Sequence, residues 1–205
     1  MKTKLQLQAG LVAEALLLFF IIDQGWIAYA DALPPSTQTY YQFTTVDIPG
    51  SRWVGPSGIN DHGLVSGTFA DAAWQYHGFL WQTGRVTLVN APGWPTTWLY
   101  GNNNAGLVAA DYEDPIVAHA CLYSVPAQTW TALPDIPGKP VNWTSRINNN
   151  GTVVGVACEG NPATGSLSNK VSWVWDGSAY SLFTVPGATG GEGTDAAGLN
   201  DLGQI

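Results

Sequence analysis

The stretch Gly58-Ile59-Asn60-Asp61-His62-Gly63-Leu64-Val65 returns three times in this chain of 205 residues. The later copies are 101–108, 146–153 and 198–205, and the equivalent glycines are 43, 45 and 52 residues apart. This spacing is typical of repeat proteins built from one supersecondary unit. Residues that recur in every copy are therefore expected to belong to the scaffold rather than to an active site.

The composition favours short strands over helices. Only 11% of the residues are charged, whereas the chain contains 24 Gly, 13 Pro and 10 Trp. Glycine and proline are turn formers and the aromatic residues are strand formers, so this mixture suits many strands joined by turns.

The first full copy contains four strand-like segments, 53–60, 64–69, 77–81 and 85–89. The last of them alternates apolar and polar residues, as a half-buried strand does. The later copies follow the same order, and each fourth strand leads to a Pro-Gly pair that marks the exit from the unit. Four strands in roughly 40 to 50 residues predict an all-β fold, a β-propeller with four-stranded blades, and a β-helix is the alternative.

The repeated motifs resemble a known family. The pattern Gly-Ile-Asn-Asp-x-Gly-x-Val at 58–65, followed by His77-Gly78-Phe79-Leu80-Trp81, is similar to the bacterial extracellular repeat called HAF, after its His-Ala-Phe motif. His119-Ala120-Cys121 also matches closely, whereas Val171-Ser172-Trp173 departs from the pattern. The resemblance covers roughly 40–205 and implies an exported, propeller-like protein with no well-defined activity and no catalytic residues to carry over.

Residues 1–30 read as a secretory signal peptide. Lys2 and Lys4 precede the apolar run 15–22, and the small-residue pattern Ala28-Tyr29-Ala30 follows. The run is far shorter than the roughly 20 residues that cross a bilayer. We therefore expect a bacterial protein that is secreted, periplasmic or on the cell surface, without a stable membrane span in the mature chain; an N-terminal anchor and a cytoplasmic protein are the alternatives.

The rest of the chain is divided into a linker, 31–39, and a repeat domain, 40–205. The predicted parts of the repeat domain are a lone outer strand at 40–47, full repeats at about 53–90, 98–133 and 141–184, and a partial repeat at 194–205. These parts make an incomplete circle of three full blades and two partial ones. Truncation of a longer, monomeric parent is the first interpretation, and completion by a second chain is the alternative.

Charge and cysteine content limit the function classes. The net charge of −8 argues against nucleic acid as a partner, because its binding needs clustered Lys and Arg. Cys121 and Cys158 are either one disulfide of an oxidising compartment or two small core residues.

Antiparallel order places the tight turns, such as 60–63 and 82–84, on one face and the longer connections on the other. The longer connections are 68–76, 91–98, 110–118, 134–143, 156–170 and 186–197. Function concentrates in variable loops held by a rigid scaffold, so the long-loop face is the predicted working surface.

Tryptophans and acids in these connections are the candidate ligand-binding residues. They are Trp74, Trp94, Trp98, Trp143, Asp71, Asp111, Asp114 and Glu159. An indole plane can stack on a sugar ring while carboxylates accept its hydroxyl hydrogens. Trp98 and Trp143 each lie five residues after a Pro-Gly glycine, so packing between blades is the competing interpretation. No cofactor is predicted; calcium is the metal that oxygen-rich loops would favour and stays the alternative, although residues 111–114 lack the spacing of a recognised calcium loop.

No catalytic residue is assigned. His77 and His119 occupy the same repeat position, which favours a structural hydrogen bond, and the common catalytic signatures are absent from the sequence. The leading hypothesis is a binding module for carbohydrate or protein. A glycoside hydrolase or polysaccharide lyase with paired loop carboxylates, and a structural envelope or matrix protein, are the alternatives.

Overall fold

The computed structural model describes residues 16–22, 25–31, 43–113, 117–161, 166–188 and 193–205. The chain divides into two compact units, Met1–Thr44 and Thr45–Ile205. In the first unit, strands β1 (Leu16–Ile22) and β2 (Gly25–Asp31) form an antiparallel hairpin. The hairpin falls in the segment for which the sequence predicts a signal peptide, and that assignment stays a prediction.

The second unit contains three four-stranded antiparallel sheets in which strands adjacent in sequence are neighbours. Sheet I consists of β3 (Trp53–Ile59), β4 (Val65–Ala70), β5 (Tyr76–Gln82) and β6 (Arg85–Val89). Sheet II consists of β7 (Thr96–Asn102), β8 (Leu107–Glu113), β9 (Ala118–Ser124) and β10 (Thr129–Ala132). Sheet III consists of β11 (Val141–Ile147), β12 (Val153–Asn161), β13 (Ser166–Trp175) and β14 (Tyr180–Phe183). The all-β class and the four strands per copy are thereby confirmed.

The flanking copies lack strand ladders. Within the predicted outer strand 40–47, residues 43–47 form no strand, and 40–42 lie outside the described residues. Residues 193–205 keep the Asn-x-x-Gly turn but form no strand either. Thr194 nevertheless joins sheet III, because its carbonyl accepts from Ser172 Oγ at 2.9 Å and its hydroxyl accepts from the Val185 amide at 2.8 Å.

Side-chain size is matched between the second and third strands of each sheet. A Cβ at Gly67 would come within 2.7 Å of the Phe79 ring, and a Cβ at Gly155 within 2.3 Å of the Trp173 ring. In sheet II the corresponding pair is Ala110 and Cys121. At this register position the ring leaves room only for glycine, whereas a small thiol leaves room for alanine.

Consecutive sheets share apolar cores. One cluster joins sheets I and II through residues such as Leu80 and Leu99, and a second joins sheets II and III through residues such as Leu133 and Trp173. Both thiols, Cys121 and Cys158, are buried and free. Burial raises the pKa of both thiols, so each is held as a neutral core group.

The turns between first and second strands form a hydrogen-bonded series, which we call the asparagine ladder. It contains Asn60, Asn103, Asn148 and Asn200. Each of the first three donates its Nδ2 to the backbone carbonyl of the next, at 2.9, 3.1 and 3.0 Å. Each Oδ1 accepts the backbone amide four residues later, which closes its own turn.

The following residue of each turn extends the ladder. The backbone amides of Asp61, Asn104 and Asn149 donate to the side-chain Oδ1 of the equivalent residue in the next turn, at 2.9, 2.9 and 2.8 Å. Consecutive repeats are therefore joined by polar bonds on the turn side and by apolar contacts between their sheets.

Candidate functional site

The end of the sheets opposite the asparagine ladder carries the connections between second and third strands and those between sheets. We call it the long-connection end. The structure describes its β4–β5 connection, 71–75, in full. Trp53, the first residue of β3, also lies at this end, because it pairs with Ala70 at the end of β4.

Asp71 organises the β4–β5 connection. Its Oδ1 accepts the amides of Ala73 at 2.8 Å and Gln75 at 2.9 Å, and its Oδ2 lies 3.3 Å from His77 Nε2. The hydrogen bond from the Gln75 amide, with those from His77 and Ala73, lowers the pKa of this carboxyl. The connection holds Trp74 at a φ of 63°, which is uncommon for a bulky residue.

The first aromatic group consists of Trp53, Tyr76 and Trp98. Tyr76 stacks on Trp98 with 4.4 Å between ring centroids, and Trp53 lies 6.3 Å from Tyr76 and 6.5 Å from Trp98. Gln75 Nε2 donates to the Pro95 carbonyl at 2.7 Å, which ties the β4–β5 connection to the start of sheet II.

The second aromatic group consists of Trp94, Tyr112 and His119. The Trp94 and Tyr112 rings stack at 4.8 Å, and Tyr112 stacks on His119 at 5.0 Å. The His77 and Phe69 rings also contact each other, with 5.2 Å between their centroids and a tilted arrangement. Because His77 and His119 pair with Phe69 and Tyr112 at equivalent registers, the two histidines do share one repeat position.

Three tryptophans at this end are partly exposed. The exposed fractions are 44% for Trp53, 56% for Trp74 and 39% for Trp94. We call these three residues the tryptophan surface. Trp53 is not among the residues singled out from the sequence, because it begins a predicted strand and so reads as part of the sheet.

The tryptophan surface is not part of the repeat scaffold. The first residue of the first strand is Trp53 in sheet I but Thr96 and Val141 in sheets II and III. Trp94 lies two residues before β7, where the other sheets have Ser51 and Lys139. The segments corresponding to the Trp74 connection, 114–117 and 162–165, contain no aromatic residue in their sequences.

Trp98 and Trp143 belong to strands rather than to the connections in which the sequence analysis places them. They lie in β7 and β11, paired with Asp111 and Val156 at equivalent positions of the second strand. Both are half-buried, and Trp98 packs on Tyr76 of the preceding sheet. This geometry supports packing between sheets for Trp98, the competing interpretation of that residue.

Asp111 also lies in a strand, β8, and is only 1% exposed, so it does not face an open loop. Its Oδ1 accepts the Thr144 amide at 2.8 Å and the Thr144 hydroxyl at 3.1 Å. Burial raises the pKa of Asp111 well above its usual value despite these hydrogen bonds. Thr68 Oγ1 accepts the Leu99 amide at the equivalent point between sheets I and II, which identifies Asp111 as an inter-sheet link.

Glu159 lies in β12, beyond the predicted end of that strand, on sheet III. It bonds Lys139 Nζ at 3.2 Å and Asn169 Nδ2 at 2.9 Å, and these contacts lower its pKa. Asp114 lies outside the described residues. Asp71, Asp114 and Glu159 each follow a turn glycine by eight residues, so they are equivalent positions of three different repeats.

The three candidate acids that the structure describes lie in separate environments. Asp71 belongs to sheet I and Glu159 to sheet III, each with its own partners, and Asp111 is buried between sheets II and III. In the described part of the chain, no three His, Cys, Asp or Glu side chains are grouped as metal ligands would be. No helix in that part has the length and apolar character of a membrane span.

Arg52 completes the site. Its guanidinium carbon lies 5.8 Å from the centre of the Trp74 ring, within the range of a cation–π contact. Its Nε donates to the Ala72 carbonyl at 2.8 Å, and its backbone amide donates to the Ala70 carbonyl at 2.8 Å. A cation is therefore held beside the tryptophan surface.

Comparisons of the chain with protein-family models, with curated proteins and with solved structures find no match.

Proposed function

We propose that the chain is an exported, β-propeller-like repeat protein of the HAF type that acts as a carbohydrate-binding module through its tryptophan surface. The observation that carries this proposal is the exposure of Trp53, Trp74 and Trp94 at positions where the other repeats have no aromatic residue. Residues that the scaffold needs are expected in every copy, whereas these three tryptophans each occur in one copy only.

The chemistry of the surface suits a sugar. An exposed indole offers a flat apolar face to the C–H groups of a pyranose ring, and neighbouring polar groups can bind its hydroxyls. Trp94 has one neighbour stacked on it, Tyr112, and keeps more than a third of its surface open. The Asp71 hydrogen bonds fix the backbone on both sides of Trp74, so little backbone freedom of this connection is lost when a ligand binds.

Retention of the full chain on immobilised neutral and acidic polysaccharides tests the proposal, together with variants Trp53→Ala and Trp94→Ala. We expect each variant to bind about fivefold to tenfold more weakly, the scale of one aromatic contact. Leu88→Ala and Leu182→Ala are matched controls, because they remove similarly exposed apolar side chains from the fourth strands β6 and β14.

Wild-type levels of binding in both tryptophan variants, or no polysaccharide retained by the wild type, would contradict the proposal. Concentration-dependent self-association without saccharide binding would instead support the structural, matrix-type alternative.

A further inference from the structure

We propose that the ligand of the tryptophan surface is an acidic polysaccharide, in which a uronate carboxylate binds the Arg52 guanidinium. This inference rests on the proposed carbohydrate-binding function and names the class of sugar. It is carried by the geometry and the charge environment of Arg52.

Arg52 is positioned by three separate contacts. The backbone amide is bonded to Ala70, Nε is bonded to Ala72, and the guanidinium lies over the Trp74 ring. Trp74 is itself fixed by the Asp71 hydrogen bonds of its connection. A long cationic side chain on a protein surface usually has many rotamers, and these contacts leave Arg52 few of them.

The terminal guanidinium nitrogens keep their donors for a ligand. In the ranges that the structure describes, Nε is the only guanidinium nitrogen of Arg52 with a hydrogen-bond acceptor, and no carboxylate lies within ion-pair distance of it. Asp71 is close in sequence, but its oxygens are used by the amides of Ala73 and Gln75 and by His77. Lys139, by contrast, is paired with Glu159.

Among the described Lys and Arg side chains only Lys139 pairs with a described carboxylate, and Arg52 differs from the other unpaired ones in lying over an indole ring, in a chain with a net charge of −8. Fifteen acids and seven basic residues leave many carboxylates that could have paired with it. The planar guanidinium presents parallel N–H groups that match a carboxylate bidentately, which a lysine cannot do. The remaining donors of Arg52 therefore fit a carboxylate supplied by the ligand.

A polyuronate offers both required groups in one chain. Each of its residues has a pyranose ring that can stack on an indole and a carboxylate attached to that ring. A uronate ring on the exposed part of the Trp74 indole brings its own carboxylate, or that of the next residue, toward the adjoining Arg52 guanidinium. The aromatic face supplies most of the contact area, and the arginine supplies selection for the acidic sugar.

The test measures binding of the full chain to oligogalacturonate and to a neutral glucan oligosaccharide of the same length, at low and at physiological salt. We expect the wild type to bind oligogalacturonate at least tenfold more tightly and Arg52→Gln to lose that preference. Arg52→Lys keeps the positive charge but loses the planar pair of N–H donors, so it should show only part of the wild-type preference for oligogalacturonate. Arg85→Gln is the matched control, because Arg85 is an exposed arginine at the opposite end of sheet I.

Unchanged oligogalacturonate binding by Arg52→Gln, in a variant with wild-type circular dichroism, would overturn the inference. Equal binding of dextran sulfate would also overturn it, because the surface would then select charge rather than a uronate. Tryptophan-dependent binding of the neutral glucan without any preference for the acid would overturn the inference and leave the proposed function standing. Failure to bind either saccharide would remove both.

Discussion

Removing the Asn103 side chain should destabilise the protein far more than removing the equivalent Asn200. Asn103 is 3% exposed; its Oδ1 accepts the Leu107 amide at 3.0 Å and its Nδ2 donates to the Asn148 carbonyl at 3.1 Å. Each hydrogen bond contributes about 0.5–1.5 kcal/mol, and a buried donor left without an acceptor costs about 1–3 kcal/mol. We therefore expect Asn103→Ala to lower the free energy of unfolding by about 2–4 kcal/mol.

Asn200→Ala provides the comparison. Asn200 is exposed, and its side-chain bonds stay within its own turn, to the amides of Leu202 and Gln204 and to Gln204 Oε1. Water can replace these bonds, so the expected loss is below about 1 kcal/mol. Asn103→Asp adds a second check, since it keeps the acceptor for Leu107 but places an oxygen against the Asn148 carbonyl, and it should be at least as harmful as alanine.

Urea unfolding followed by tryptophan fluorescence measures all three variants, with the slope of the transition showing whether the unfolded reference has changed. Losses that are equal within about 0.5 kcal/mol for Asn103→Ala and Asn200→Ala would refute the reasoning, because the bond between repeats would then contribute nothing measurable.

Three further predictions concern the sheets. Gly155→Ala should lower the free energy of unfolding by at least about 1–3 kcal/mol, because the new Cβ would lie 2.2 Å from the Trp143 carbonyl oxygen. Gly198→Ala should be nearly neutral, because its Cβ would meet nothing within 4 Å. Equal urea midpoints for the two variants would contradict this prediction. Burial raises the pKa of Asp111 in the folded state, so its neutral carboxyl should stabilise the protein at pH below about 3.8, and this stabilisation should be lost as the pH rises toward the folded-state pKa. In urea titrations at several pH values, Asp111→Asn should no longer lose stability over this pH range. A variant with the pH profile of the wild type would argue against the prediction. Cys121 and Cys158 should react with a thiol reagent only after unfolding, and rapid reaction of the native protein would show that one of them is accessible.

Much of the architecture could be predicted from the sequence, because each copy of the repeat carries the same pattern of strands and turns. The predicted strand 85–89 is β6, and the predicted strand 77–81 lies within β5. Prediction was weaker at the long-connection end, where strands run further than their apolar residues indicate. Glu159 and Asp111 look like loop acids in sequence, yet backbone pairing continues through both of them.

The candidate site was only partly predictable for the same reason. Trp74 and Trp94 lie at the long-connection end as expected, but the distinction between them and Trp98 depends on exposure, which no single-sequence pattern contains. Trp53 was missed because a strand-forming residue at the start of a strand gives no sign of facing solvent. Comparing equivalent positions of the three copies, as Trp53 with Thr96, is the one sequence signal that could have found it.

Consecutive repeats are joined, turn to turn, by the asparagine ladder. Hydrogen–deuterium exchange resolved by NMR tests it most directly at the amides of Asp61, Asn104 and Asn149. Asp61 and Asn149 are exposed and Asn104 is half-buried, yet each amide donates to a side chain of the next turn. The ladder therefore predicts slow exchange for all three amides compared with that of Thr83 in the β5–β6 turn. Exchange at the rate of Thr83 for all three amides would contradict the account.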